Sequence, residues 1–186
     1  MNPPVKILAI SGSLRRQSFN TALLRAAQTL ALPGITLEIA TLHGIPLYDG
    51  DLEEQQGQPE AVAALCARIQ ASDGLLFATP EYNNGIPGVF KNGIDWLSRP
   101  AAAGGKLFAN RPVAVIGASP GGFGTIMAQN AWLPVLRTLG MKHWAGGRLL
   151  VSRAHQLIGP DGEIQDDATK KLLGDFLAGF AAAIRV

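Results

Sequence analysis

A chain of 186 residues can bury one ordinary hydrophobic core and has little room for two, so a single domain over residues 1–186 is expected. At 47% hydrophobic and 16% charged it is too apolar for a disordered tail, and a formal charge of +2 without a Lys/Arg block gives nucleic acid no electrostatic footprint. No apolar run reaches bilayer length and the first residues show no basic-then-apolar leader, so a cytoplasmic protein without membrane contact is expected.

Residues 5–10 are a short apolar run ending in Ser11-Gly12-Ser13, which predicts a buried strand feeding a loop. From Phe19 the apolar positions fall at Leu23, Ala26, Ala27 and Leu30, a helical spacing that Pro33-Gly34 stops. Residues 35–40 read as a second strand and residues 41–57 as irregular. Pro59 suits the first turn of a helix with a buried stripe of Val62, Leu65, Cys66 and Ile69. Cys66, the one cysteine, therefore reads as a packing residue and rules out an internal disulfide. Residues 74–79 form a third strand, 80–88 a Pro/Gly/Asn-rich loop, and Phe90, Ile94 and Leu97 mark a helix. Residues 101–111 read as a linker, 112–118 as a fourth strand and 119–124 as a second glycine-rich loop. The following helix reaches about Leu139, with Pro134 expected to kink or split it. Residues 142–151 should hold a fifth strand, and Leu173, Phe176, Leu177, Phe180 and Ile184 predict a closing amphipathic helix.

Strands that alternate with helices imply a parallel sheet covered on both faces, with right-handed crossovers. Five strands fit the flavodoxin-like α/β order 2-1-3-4-5, a doubly wound sheet whose ligand crevice lies at the ends of strands one and three. The loops after strands one, three and four all open on that edge.

The first loop, Ser11 through Asn20, joins a buried strand to a helix N-terminus, where free N–H groups and the helix dipole favour an anion. Ser13, Ser18 and Asn20 add neutral donors, and Arg15 adds a planar fork suited to phosphate. Both the Walker pattern and Gly-x-Gly-x-x-Gly are absent. Hydroxyls stand where those motifs have glycines, which suits a terminal phosphomonoester better than a bridging pyrophosphate. In the second loop, Pro80-Glu81-Tyr82-Asn83-Asn84, the prolines and glycines fix an irregular backbone that can present N–H and C=O groups to a planar heterocycle, with Tyr82 covering one side. Ser119 and the glycines after it, Gly122 among them, could line the other side.

Gly-Ser-Leu-Arg-x-x-Ser-Phe-Asn after strand one, Thr-Pro-Glu-Tyr-Asn after strand three and the run from Lys91 through Asp95 and Trp96 to Ser98 resemble the NADPH-dependent FMN reductase family. Ile45-Pro-Leu-Tyr48-Asp49 is similar to its bacterial chromate and quinone reductase branch. The resemblance implies FMN as cofactor and NADPH or NADH as co-substrate. By position, Ser13, Leu14, Arg15, Ser18, Phe19 and Asn20 would wrap the FMN phosphate. Pro80, Glu81, Tyr82, Asn83 and Asn84 would run along the isoalloxazine, with Ser119 and Gly122 closing the remaining edge. It also implies a homodimer or homotetramer with the flavin mouth near the interface. Two departures stand out. Relatives often carry Gln-Tyr-His-Leu-Arg where this chain has Gln129-Asn130-Ala131-Trp132-Leu133-Pro134, a region tied to subunit contacts and the substrate mouth. Asn84 stands where an aromatic is common, which leaves the ring more open.

His43, His143 and His155 lack metal-ligand spacing, and no Gly-x-Ser-x-Gly elbow makes Ser11 or Ser13 a nucleophile. No catalytic side chain is needed, because a flavin brings its own reactive atom. The leading expectation is hydride transfer from NAD(P)H through FMN to quinones or other soluble small-molecule acceptors, with chromate, azo compounds and free flavin as acceptors implied by resemblance. The alternatives are a non-enzymatic flavodoxin-type electron carrier, which the near-neutral charge disfavours, and a nucleotide-binding module. Trp132 and Trp144 are expected to add to an exposed apolar patch at a subunit contact.

Overall fold

The computed structural model describes residues 3–30, 32–99 and 106–186. Part of the expected linker, residues 101–105, lies outside the described residues. Strand β1 (Val5–Ser11) pairs in parallel with β2 (Ile35–Ala40) on one side and β3 (Gly74–Ala78) on the other. β4 (Pro112–Ala118) pairs with β3, and the far edge is shared by two short strands, β5 (Lys142–His143) and β6 (Leu149–Val151). The order β2-β1-β3-β4-β5 is the flavodoxin-like arrangement expected from the alternation.

Successive side chains of a strand point to opposite faces, and that alternation builds two cores. On one face Ile7, Ala9, Leu76 and Ile116 meet Leu23 and Leu24 of α1 (Phe19–Thr29) and Leu173, Phe176 and Phe180 of α7 (Asp167–Ile184). On the other, Leu8, Ile10, Leu75 and Phe77 meet α3 (Glu60–Gln70), α4 (Gly88–Leu97) and α5 (Ile126–Thr138). Cys66 is buried on α3, as its apolar face predicts, and burial pushes its thiol pKa up against a smaller opposing effect of Gln58.

Three features depart from the expectations. The fifth strand is interrupted because the Trp144 indole folds back over Gly146 and Gly147, where a Cβ would stand 2.6 Å and 2.9 Å from it, to meet Phe176 edge-on at 4.9 Å. Helix α5 runs unbroken through Pro134. The proline removes only the amide that would reach the carbonyl of exposed Asn130, which solvent can satisfy, while Trp132 and Leu136 anchor the helix on either side. Within the stretch expected to be irregular, α2 (Gly50–Gln56) forms with no buried residue, held by the Asp49 carboxylate accepting from the Asp51 N–H at 2.9 Å. A further short helix, α6 (Ala154–Leu157), follows β6.

Candidate functional site

The loops after β1, β3 and β4 meet at one edge of the sheet, and local chemistry shapes each. β1 ends at Ser11, whose hydroxyl pairs with that of Thr21 at 2.8 Å in a buried contact. Gly12 donates its N–H to the Ala78 carbonyl at 2.9 Å, which pins this loop to β3. An added Cβ there would sit 2.9 Å from Pro80 Cδ and collide with the Phe90 ring, so only glycine lets the backbone pass so close. Ser18 caps α1, its hydroxyl accepting from the Thr21 N–H at 3.3 Å. No acidic residue occupies the first turn of α1. The amides of Phe19 and Asn20 lack intrahelical partners by position and face the dipole's positive end. Arg15 is exposed, with no carboxylate partner among the described residues, and its guanidinium carbon lies 5.9 Å from the Phe19 ring centre.

Asn20 has a different task from the one expected of its side chain. Its amide both donates to the Ala118 carbonyl and accepts from the Ala118 N–H, each at 2.9 Å and buried, so it clamps the start of α1 to the end of β4. Its backbone N–H remains one of the first-turn donors of α1.

In the second loop Tyr82 and Gly85 exchange backbone hydrogen bonds at 3.2 Å and 3.0 Å across Asn83 and Asn84. Both asparagines are left-handed, with φ of 52° and 60°, the pattern of a type I′ turn. They form its exposed tip and lie outside the cleft lining. Glu81 reaches across to α5, where its carboxylate accepts from the Met127 and Ala128 N–H groups at 2.8 Å and 3.0 Å. No side chain at Thr125 caps that helix, so Glu81 performs the task from 46 residues away. Behind this loop the Trp132 indole donates to Thr79 Oγ1 at 3.2 Å.

The third loop is fastened by the Ser119 N–H to the Val151 carbonyl at 2.9 Å, and by the Arg153 N–H to the Gly121 carbonyl at 3.0 Å. Gly122 is exposed, with open space where a Cβ would go, and is not part of the cleft wall; Ser119 and Pro120 are. Leu14 also lies outside the wall, its carbonyl 3.1 Å from His43 Nε2.

The resulting cleft has a volume of about 270 Å³. Ser13, Arg15, Ser18, Phe19 and Asn20 line it from the first loop and the start of α1, and Pro80, Glu81, Tyr82, Ala118, Ser119 and Pro120 line it from the second and third loops. Cationic and N–H donors of the first loop thus meet the flat surfaces of Pro80, Tyr82 and Pro120 in one cleft. That combination fits a planar heterocycle carrying a terminal phosphate. Among the described residues no group of three or more His, Cys, Asp or Glu could hold a metal ion, and no helix is long and apolar enough to cross a membrane.

Trp132, expected at an exposed patch, is 0% exposed; its ring meets those of Phe90 and Phe77 with centres 4.7 Å and 5.2 Å away. Trp144 is half-buried against α7 and adds nothing to the patch. The apolar side chains that do reach solvent near the mouth are Tyr82, Phe123 and Met127, at 51%, 83% and 49% exposure. Of these the sequence reading named only Tyr82 as a site residue. The run from Ile45 to Asp49, singled out by motif, packs on α4: the Pro46 carbonyl accepts from Asn92 Nδ2 at 2.8 Å and from the Trp96 indole at 2.9 Å.

The chain is similar to known proteins over its whole length. A family described as NADPH-dependent FMN reductase matches residues 5–156. The chain is 40% identical over 185 residues to an NAD(P)H-dependent FMN reductase of Pseudomonas aeruginosa, covering 100% of this chain and 98% of that one. It is 36% identical over 181 residues to a 2-hydroxy-1,4-benzoquinone reductase of a Burkholderia species, covering 97% of each. Among solved structures, the flavoenzyme NAD(P)H:acceptor oxidoreductase of Paracoccus denitrificans superposes with a TM-score of 0.83 at 35% identity, covering 97% of each chain.

Proposed function

Since the chain belongs to the NADPH-dependent FMN reductase family, we propose that it holds FMN in the cleft between the three loops and uses NAD(P)H to reduce quinones and other soluble acceptors. The observation that carries the reading is the meeting in one cleft of Arg15, Ser18 and the N-terminus of α1 with Pro80, Tyr82, Ser119 and Pro120. Bound FMN would supply the two-electron redox chemistry between the nicotinamide and the acceptor. The chain binds and orients. Arg15 and the first-turn amides neutralise the phosphate, and Ser13 and Ser18 hydrogen-bond it. Gly12 lets the phosphate loop sit flush on Pro80, and Tyr82 borders the side left open to substrates. Glu81 holds the second loop against α5, and so fixes the distance between the two walls.

Chromate, azo compounds and free flavin are further acceptors for this site. The protein works as a homodimer, with Tyr82, Phe123 and Met127 near the subunit contact, and pairing of dimers into a tetramer is the next level of assembly. Dependence on nicotinamide nucleotide supports a cytoplasmic location.

The test is spectroscopic. The purified protein is expected to be yellow; anaerobic NAD(P)H should bleach it, and quinone should restore the colour. A colourless protein that takes up no FMN on titration would end this reading.

A further inference from the structure

We propose that a second cleft, on the other side of the phosphate loop, binds the adenosine 2′-phosphate of NADPH and sets a preference for NADPH over NADH; the proposal rests on the FMN reductase reading. This cleft has a volume of about 320 Å³ and lies between α1 and the turn after α6. Arg15, Ser18 and Phe19 line both clefts, so the two meet across one short stretch of backbone. A dinucleotide with its nicotinamide in the first cleft can therefore run past Arg15 into the second.

The charges fit one phosphomonoester. Arg16 in the loop and Arg25 on α1 join Arg15, and neither has a carboxylate partner within 4.0 Å among the described residues. Ala22 and Arg25 follow Ser18 at helical spacing, so one face of α1 carries the helix cap, a small residue and then a guanidinium. Asp161 is the one acidic residue in the wall, and its carboxylate accepts from the Glu163 N–H at 3.0 Å. Arg15 also faces the FMN phosphate, so Arg16 and Arg25 are the two guanidinium groups that belong to this cleft alone, and planar forks bind phosphate bidentately.

The opposite wall is preformed. The Gly162 N–H donates to the Gly159 carbonyl, and the Gly159 N–H to the Glu163 carbonyl, each at 2.9 Å. Gly162 has φ +85°, and a Cβ there would lie 4.0 Å from Arg25 Nη1, so the guanidinium rests against this turn. NADPH and NADH differ only in the phosphate that this site would contact. The dinucleotide's pyrophosphate, common to both, would not discriminate between them.

The test uses the FMN-loaded protein and Arg25→Ala, which lies outside the FMN cleft. Loss of a charge-assisted contact should raise KM for NADPH about tenfold or more, with kcat and KM for NADH unchanged. Calorimetric titration with adenosine 2′,5′-bisphosphate should show binding to the wild type, weaker binding to Arg25→Ala, partial recovery in Arg25→Lys and tighter binding to Asp161→Asn. Equal changes in KM for NADPH and NADH, or unaltered bisphosphate binding in Arg25→Ala, would overturn the proposal. Bound FMN is measured in every variant. A wild type without FMN would count against the family reading, and the calorimetric series would still decide whether the second cleft is a phosphate site.

Discussion

Arg15 is exposed, lacks an acidic partner among the described residues and lines the cleft, so its role separates cleanly from folding. Arg15→Ala should weaken FMN far more than riboflavin, which lacks the phosphate. A charge-assisted contact is worth about 1.5–3 kcal/mol, roughly ten- to hundredfold in affinity. Fluorescence titration with both ligands measures this, and equal losses would refute a phosphate contact. Glu81 calls for the opposite pattern. Its carboxylate takes two amides at the start of α5, and Glu81→Ala should lower stability by about 1–2 kcal/mol, as loss of a helix cap does. Glu81→Gln keeps an acceptor oxygen and should lose less, and thermal melts of both variants check the order. The phosphate-end residues were legible because a strand, a hydroxyl-rich loop and a helix start follow one another within Ser11 to Asn20. The side-chain bonds of Asn20 and Glu81 were not legible because their partners, Ala118 and Met127, are 98 and 46 residues away. Asn83 and Asn84 were read as ring-lining, although two asparagines before a glycine are also a turn signal.

At the scale of elements, strands whose residues are buried on both sides leave continuous apolar runs, and for that reason β1, β3 and β4 begin where the runs begin, while the edge strand β2 shows itself by alternation, with Thr36 and Glu38 exposed. Helices with one buried face were legible from their spacing. α2 was not, because it buries nothing and so carries no apolar period; its signal was the Asp49 cap and the acidic first turn that follows. The split of the last strand depends on the Trp144 ring lying over two glycines, a tertiary contact that no local pattern encodes. The tightest junction between elements is where the loop after β1 crosses the start of the loop after β3. Gly12→Ala forces its methyl into Phe90 and into Pro80, the second of which lines the cleft. Overpacking of this kind costs about 1–3 kcal/mol. The variant should melt earlier and also bind FMN more weakly, because relief must come by moving the phosphate loop or Pro80. Unchanged FMN affinity at a lowered melting temperature would show that Phe90 alone yields.

For the whole molecule, the two cores bury both faces of the sheet, so contacts beyond the chain fall to its edges and loop tips. Tyr82, Phe123 and Met127 are the large apolar side chains left exposed beside the cleft, and contiguous exposed apolar surface marks association. Light scattering at micromolar protein should return at least twice the monomer mass of 19.6 kDa; a monomer mass would remove the dimer from the proposed function. The same geometry constrains the order of events at the cleft. The phosphate loop closes one end, and the stretches from Pro80 to Tyr82 and from Ala118 to Pro120 form two walls, which leaves one side beside the half-exposed Tyr82 for both substrates. The nicotinamide and the quinone are both flat and both need that side, so they must occupy it in turn. Initial rates should then give parallel double-reciprocal lines, and excess quinone should inhibit competitively against NAD(P)H. Tyr82→Ala should raise KM for both substrates, because it borders the place each must visit. Lines that intersect to the left of the axis would mean that both substrates bind at once, and the single open side would have to be abandoned.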